Sequence, residues 1–239
     1  MEEKYSGIVL GGVSFGESDK ILNIFTLEKG VVSAKIKGVK KAGAKLKFAA
    51  QPFCFAEFLF SKTQDKRTVI GASLIDSFYP LRTDIKRYYA GATVLEFIKR
   101  FYRESTIDEN EFFYCINALK NVSYGDNPLS SLVEFLVVSL QVSGYALSLP
   151  NCFGCGCEID GRVFFDYRSG AFLCEECKTE GAREISPVTL TALIDAKEQK
   201  LTDENLDGVK KSLKLIEYYL ANRAEEKLAS LSELIKILE

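Results

Sequence analysis

The sequence predicts a multidomain α+β protein, with an N-terminal five-stranded β-barrel followed by an α-helical domain that carries an inserted four-cysteine ribbon. Residues 5–80 are rich in β-branched and aromatic residues with glycine breaks at short spacing, whereas the apolar residues after Pro80 recur with a helical period. Five of the seven cysteines lie within residues 152–177. The expected domains are 1–80 (barrel), 81–150 (first helical part), 151–180 (insert) and 181–239 (second helical part).

The barrel is predicted from five short runs with strand character. Five strands within about 75 residues suit a small closed barrel, and the OB-fold is the commonest five-stranded one. Within residues 32–37 apolar and polar side chains alternate, which places Lys35 and Lys37 on the outward face. The candidate strands are Tyr5–Phe15, Lys20–Leu27, Val31–Val39, Gln51–Ser61 and Arg67–Phe78.

Helices are predicted on both sides of the cysteine-rich insert. Asn127-Pro128 and Ser186-Pro187 each combine an N-cap residue with proline at the first helical position, so a helix should begin at both. Another helix is expected to begin at Thr202. Apolar residues at helical spacing cover residues 88–102, 112–119, 132–140, 190–194, 206–220 and 228–238.

The composition excludes several classes of enzyme. None of the 239 residues is histidine, which rules out Ser-His-Asp and Cys-His nucleophiles, HExxH proteases and His-ligated haem or iron. The N-terminal residues show no signal pattern and no apolar run reaches about 18 residues. We therefore expect a cytoplasmic protein with no membrane span. Cys54 and Cys115 lie in apolar runs and are expected to be ordinary buried residues.

The cysteine-rich insert has the spacing of a zinc ribbon. Cys152, Cys155, Cys174 and Cys177 form the pattern C-x2-C-x18-C-x2-C, in which each pair can place two thiolates on one ion. Four thiolates leave no open position for water, so the predicted Zn²⁺ is structural. A redox or disulfide pair in each CxxC is the alternative. Cys157 could replace Cys155 as a ligand, although C-x4-C makes a poorer knuckle.

An unopposed run of lysines predicts contact with nucleic acid. From Lys29 to Ala56 the chain contains seven lysines and no acidic residue. Residues 1–80 hold 12 Lys and Arg against 8 Asp and Glu, whereas residues 81–239 hold 19 against 25. Lysines bind phosphates as point charges without reading sequence. The candidate DNA-binding residues are Lys35 and Lys37 on a strand and Lys40, Lys41, Lys45 and Lys47 in the loop after it. An ordinary solvated face is the alternative.

Aromatic side chains that could stack on bases are present in the same region, but the sequence does not select among them. Most phenylalanines on barrel strands are expected in the core. The candidates are Phe15, Phe25, Phe48, Phe53, Phe55, Phe58 and Phe60.

Five short N-terminal segments form a recognisable pattern: 7–10 (GIVL), 16–22 (GESDKIL), 25–30 (FTLEKG), 37–41 (KGVKK) and 51–53 (QPF). They resemble the N-terminal signature of the RecO family of bacterial recombination mediators. The order of barrel, helices, four-cysteine insert and helices is also similar, so the resemblance covers essentially the whole chain, although only its N-terminal part is specific.

The resemblance implies a non-enzymatic DNA-repair protein with an N-terminal OB-fold, a helical domain and a zinc finger. Such proteins bind single- and double-stranded DNA, anneal complementary strands and, with RecR and often RecF, help RecA load onto DNA coated by single-stranded DNA-binding protein (SSB). The family's basic barrel surface maps onto Lys35, Lys37, Lys40 and Lys41, followed by Lys45 and Lys47. Its zinc ligands map onto Cys152, Cys155, Cys174 and Cys177, and Cys157 departs from the pattern. The location implied is the cytoplasm, at the nucleoid.

The residues by themselves leave three other functions open. One is an RNA-binding or translation-associated protein with a zinc ribbon and an OB-type barrel. Another is a CxxC thiol enzyme. The third is a helical interaction protein whose lysines only keep it in solution.

Overall fold

Five strands close into a barrel at the N-terminus, which confirms the predicted fold class. The strand order is β1-β2-β3-β5-β4, the order of the OB-fold, and every neighbouring pair is antiparallel except β3 and β5. β3 ends before the predicted Val39 because Gly38 turns the chain at a φ of 64°. The strands are β1 (Glu2–Phe15), β2 (Asp19–Thr26), β3 (Gly30–Ile36), β4 (Phe55–Thr63) and β5 (Lys66–Asp76).

The computed structural model describes residues 1–64, 66–105 and 107–239. After the barrel come α1 (Ile85–Phe101), α2 (Glu109–Tyr124), α3 (Pro128–Val142), α4 (Pro187–Lys197), α5 (Leu206–Tyr219) and α6 (Ala229–Leu238). The predicted starts of α3 and α4 are confirmed. α5 begins later than expected, because residues 202–205 form a turn and Asn205 caps the Gly208 N–H. None of the helices in the described ranges is long and apolar enough to cross a membrane.

The chain divides into two compact units. The first contains Met1–Arg82 and Leu95–Leu119, and the second contains Thr83–Val94 and Lys120–Glu239. The second unit also holds a three-stranded sheet in the order β7-β6-β8, formed by β6 (Val163–Asp166), β7 (Ala171–Leu173) and β8 (Arg183–Ile185). β6 and β7 form an antiparallel hairpin, and β8 pairs antiparallel with the other edge of β6.

The segment that joins β3 to β4 is packed onto the barrel core. We call residues 37–47 the lysine loop. Backbone hydrogen bonds from residue i+3 to residue i close successive turns along it, at Lys41, Ala44 and Lys47. Val39 is buried, and Leu46 packs against the barrel core. These apolar contacts fix the loop while its lysines stay on the surface.

One carboxylate ties the lysine loop to the β1–β2 turn. Asp19 accepts the Gly38 N–H at 2.8 Å and the Lys35 ammonium at 2.9 Å, and the Lys40 N–H binds the Ser18 carbonyl at 3.0 Å. The Gly38 N–H and then Lys35 lower the pKa of the Asp19 carboxyl to about 2. The folded structure therefore stabilises the ionised form of the Asp19 carboxyl.

The first turn of α3 is capped by a residue distant in sequence. Asp203 accepts the N–H groups of Leu129 and Ser130, at 3.2 and 2.7 Å, and the buried Ser130 hydroxyl at 2.7 Å. The Asn127 side chain, expected to cap α3, instead accepts the Asp203 N–H at 3.0 Å. The start of α3 thus depends on the α4–α5 connection.

Replacing Asp203 with alanine should lower the free energy of unfolding by about 1–2 kcal/mol, because donors in the first turn of α3 lose their acceptor. Urea denaturation followed by circular dichroism measures the change. Glu233→Ala is the control, since Glu233 makes only a surface pair with Lys236 and should change stability by less than about 0.5 kcal/mol. Equal effects of both substitutions would contradict the role of Asp203.

The Asp19 carboxyl should remain mostly ionised at pH 3, where an ordinary Asp is mostly protonated. Because its pKa is lower in the fold, its contribution to stability is complete above about pH 4 and is lost as the pH falls through about 2. A carbon-13 NMR titration of the carboxyl groups measures this pKa. Lys35→Met should raise the pKa but keep it below normal, since the Gly38 donor remains. A normal pKa in the unmodified chain would disprove the anchor.

Candidate nucleic-acid interface and metal centre

The lysine loop presents five exposed cations. Lys37, Lys40, Lys41, Lys45 and Lys47 are all exposed, and none forms an ion pair with another described residue. Their charges are therefore available to an anionic partner. The loop contains no acidic residue, so no carboxylate within it competes for them.

Lys35 is placed differently from the other five predicted lysines. Its ammonium pairs with Asp19 and lies 4.5 Å from the centre of the Phe15 ring. The Lys35 side chain is half-buried, and its charge already interacts with both the Asp19 carboxylate and the Phe15 ring. The sequence pattern showed that Lys35 points outward but could not show this pairing, because Asp19 is on another strand.

Lys35 also lines a groove on the outer surface of the barrel, with a volume of about 510 Å³. Lys66 and Arg67, which sequence analysis did not select, lie there too, because β3 and β5 pair side by side. Lys66 is exposed. Arg67 is buried and binds Glu3 at 3.3 Å and Glu104 at 2.9 Å, so it is a structural cation.

The four predicted metal ligands come together in the second unit. Their Sγ atoms all lie within 4.8 Å of one another. Sulfur atoms around one Zn²⁺ at 2.3 Å would be about 3.8 Å apart. The Cys152–Cys174 and Cys155–Cys174 separations are 3.7 and 3.9 Å. These two separations match a tetrahedral ion, and the remaining sulfurs of the cluster are within 4.8 Å, close enough to converge on the same ion.

The backbone around the cysteines is shaped for this cluster. A Cβ on Gly154 would lie 2.9 Å from Cys177 Sγ, so only glycine fits there. Burial raises the pKa of the Cys152 thiol, but the N–H groups of Cys174, Cys155 and Gly154 outweigh it and lower that pKa to about 6. The resulting thiolate is buried against the other sulfurs, away from solvent. The backbone donors around Cys152 thus favour its ionised sulfur, which is the form that binds a metal ion.

Cys157 lies beside the cluster but is not one of its four members. Its Sγ is 3.3 Å from that of Cys155, and this neighbour raises the pKa of the Cys157 thiol to about 12. The Cys157 carbonyl accepts the Cys152 N–H at 2.9 Å, which closes the first knuckle through the backbone. The structure therefore gives the Cys157 main chain a role that does not require its sulfur.

The two remaining cysteines are buried, as the sequence predicts. Cys54 is 2% exposed and Cys115 is fully buried. Burial raises the pKa of Cys54 to about 11 and that of Cys115 to about 12. Neither thiol is placed or ionised for reaction with a substrate.

Comparison with known proteins agrees with this architecture. Residues 1–78 match the family model described as "Recombination protein O N terminal", and residues 82–232 match "Recombination protein O C terminal". A protein of Acetivibrio thermocellus named DNA repair protein RecO is 30% identical over 99% of this chain and 97% of its own length. Proteins with the same name from Caldicellulosiruptor saccharolyticus (28% identical, 98% of both chains) and Bacillus subtilis (30%, 74% of this chain and 69% of the relative) are also similar. With both family models matched and a full-length relative at this identity, the chain belongs to the RecO family.

Proposed function

We propose that this protein binds single- and double-stranded DNA through the lysine loop and anneals complementary strands during recombinational DNA repair. The observation that carries the proposal is the group of five exposed loop lysines that have no partner among the described residues. The names of the RecO relatives support DNA repair as the process. The RecO family is non-enzymatic, in keeping with the expectation from sequence that the chain is not an enzyme.

The proposed mechanism is electrostatic. Two DNA strands repel each other through their phosphates, and each lysine that binds a phosphate removes part of that repulsion and releases counterions. Lysine is a compact point charge with a flexible side chain, so contacts with phosphates carry no sequence preference. A surface of this kind can hold two strands of any sequence close enough to pair, and no covalent step is needed.

The partners proposed for this activity are RecR, SSB, RecA and, in some members, RecF, as the family resemblance implies. We propose that a surface of the helical region binds SSB or another partner and so keeps the protein on coated DNA, where with RecR it helps RecA to load. These interactions would take place in the cytoplasm, at the nucleoid.

We further propose that Cys152, Cys155, Cys174 and Cys177 hold one structural Zn²⁺. Four sulfur ligands fill its coordination sphere, so the ion would supply cross-linking and no catalysis. Cys152 shares a small apolar cluster with Phe164, Ala171 and Leu173 of the β6–β7 hairpin. The ion would therefore brace a sheet that is too small to be stable through apolar burial alone.

Changing Lys37, Lys40 and Lys41 together to Glu should abolish strand annealing, with and without SSB on the strands. If about four lysines contact single-stranded DNA, the logarithm of the binding constant should fall with the logarithm of salt at a slope of about −3, and the variant should lose most of that slope. Oligonucleotide annealing and salt-dependent binding measure these effects.

The control is the triple variant Lys86→Glu, Lys120→Glu and Lys227→Glu, which changes the net charge equally at exposed positions outside the loop. It should anneal nearly as well as the unmodified chain, and circular dichroism should show both variants folded. Normal annealing by the folded loop variant would remove the mechanism, and equal loss in both variants would reduce it to net charge.

The unmodified protein should retain one zinc ion per chain after dialysis. Cys155→Ser should lose the ion and lower the Tm of the second unit by several degrees, because metal binding is coupled to folding. Cys157→Ser is the matched control, since it makes the same change at an exposed neighbouring thiol, and it should retain the ion. Elemental analysis and thermal unfolding measure both. Zinc kept by Cys155→Ser and lost by Cys157→Ser would reverse the ligand assignment.

A further inference from the structure

The groove on the barrel lies on one continuous outward face of four strands, β1, β2, β3 and β5. Cross-strand pairing sets Ile21 of β2 opposite Lys35 of β3, and Lys35 opposite Thr68 of β5. Residues opposite each other in a sheet share a face, and so do alternate residues along a strand. Phe15, paired with Asp19, belongs to the same face as Ile21. The six side chains of this face that line the groove are Phe15, Ile21, Ser33, Lys35, Lys66 and Thr68.

Phe15 is unusual among the barrel phenylalanines because it is exposed. Phe25, Phe58 and Phe60 are fully buried, whereas 48% of the Phe15 surface is exposed. Residues 11–15 continue the pairing of β1 with β2 after the pairing of β1 with β4 has ended at Ile8. The β1–β2 hairpin thus carries Phe15 to the rim of the groove, where no core is available to cover it.

The position of the ring is fixed by its neighbour. Lys35, itself held by Asp19, places its ammonium 4.5 Å from the centre of the ring. A cation at this distance is attracted to the aromatic face and limits the ring's motion. The ring is therefore both exposed and pre-positioned, which are the two properties needed to stack on a base without a large ordering cost.

The charges around the groove favour an anionic strand as its occupant. Lys66 is exposed and forms no ion pair with a described residue. β3 leads from Lys35 directly into the lysine loop at Lys37, so the groove is continuous in sequence with the five exposed cations. An apolar rim beside exposed cations matches a chain of planar bases on a phosphate backbone.

We propose that this groove binds single-stranded nucleic acid, with Phe15 stacking on an unpaired base and Lys66 meeting the backbone. This inference rests on the proposed function and adds to it a residue that distinguishes single strands from duplex. In a duplex each base is already stacked between its neighbours, so no base face is free for Phe15. The lysine loop, by contrast, meets phosphates, which both forms present.

Phe15→Ala should weaken binding of an oligo-dT strand about 5- to 100-fold and leave the affinity for a duplex of equal length within about twofold. The salt dependence should stay unchanged, because no cation is removed. Phe15→Tyr should restore binding, since it keeps an aromatic face. Phe113→Ala is the matched control and should bind oligo-dT like the unmodified chain, because Phe113 is also partly exposed but lies on α2, outside the groove and the lysine loop.

A spectroscopic test is available because the chain contains no tryptophan. The fluorescence of Phe15→Trp should be quenched by oligo-dT but not by polyphosphate, which offers the same charge without bases. Phe113→Trp, on α2 and outside both the groove and the lysine loop, should respond little to either. Quenching of Phe15→Trp by both polymers to the same extent would show that only charge is sensed and would overturn stacking.

The outcomes separate this inference from the proposed function. If the unmodified chain binds DNA and Phe15→Ala binds oligo-dT equally well, the stacking role is wrong while the lysine mechanism stands. If the chain fails to bind DNA at all, both are wrong. If Phe15→Ala weakens single-strand and duplex binding alike, Phe15 supports the barrel structurally and does not stack on bases.

Discussion

The proposed DNA-binding surface of the barrel depends on the Asp19 carboxylate. Asp19 joins three parts of the chain that are separate in sequence, because it lies at the β1–β2 turn, binds Lys35 on β3 and accepts the N–H of Gly38 at the start of the lysine loop. Lys35 in turn holds the ring of Phe15. One acidic residue therefore organises a basic surface, and it does so by using only one of the six predicted lysines. The other five keep their charge for a partner.

The two units solve different physical problems. The barrel has an apolar core on which the lysine loop is anchored, so the lysines of the loop can remain exposed. The charge of the buried Arg67 is compensated by Glu3 and Glu104. The three-stranded sheet has strands of only three or four residues, so it lacks a comparable core. The proposed zinc ion on its four clustered sulfurs would replace this missing core.

Sequence reasoning predicted the features that depend on a local residue pattern. It missed the contacts between residues that are far apart in the sequence. Alternation along β3 correctly placed Lys35 outward, and cysteine spacing identified the four sulfurs that meet. The pairing of Lys35 with Asp19 and the capping of α3 by Asp203 could not be read from sequence, because both depend on how separate elements pack. Phe15 illustrates the limit most clearly. The sequence of the barrel region offered seven candidate phenylalanines. Only the strand register, and the extension of the β1–β2 hairpin beyond the pairing of β1 with β4, show which of them lies at a groove.

The two kinds of contact proposed for the barrel would give annealing a direction. Lysine contacts are similar for a single strand and for a duplex, so by themselves they favour neither reactant nor product. Stacking on Phe15 is possible only while a base is unpaired. When two bound strands pair, the base leaves the Phe15 ring and stacks on its neighbours in the duplex. The duplex then keeps only the lysine–phosphate contacts, which are the contacts that salt weakens most. Release of the duplex then follows from the loss of one aromatic contact, without any change in the charge of the protein.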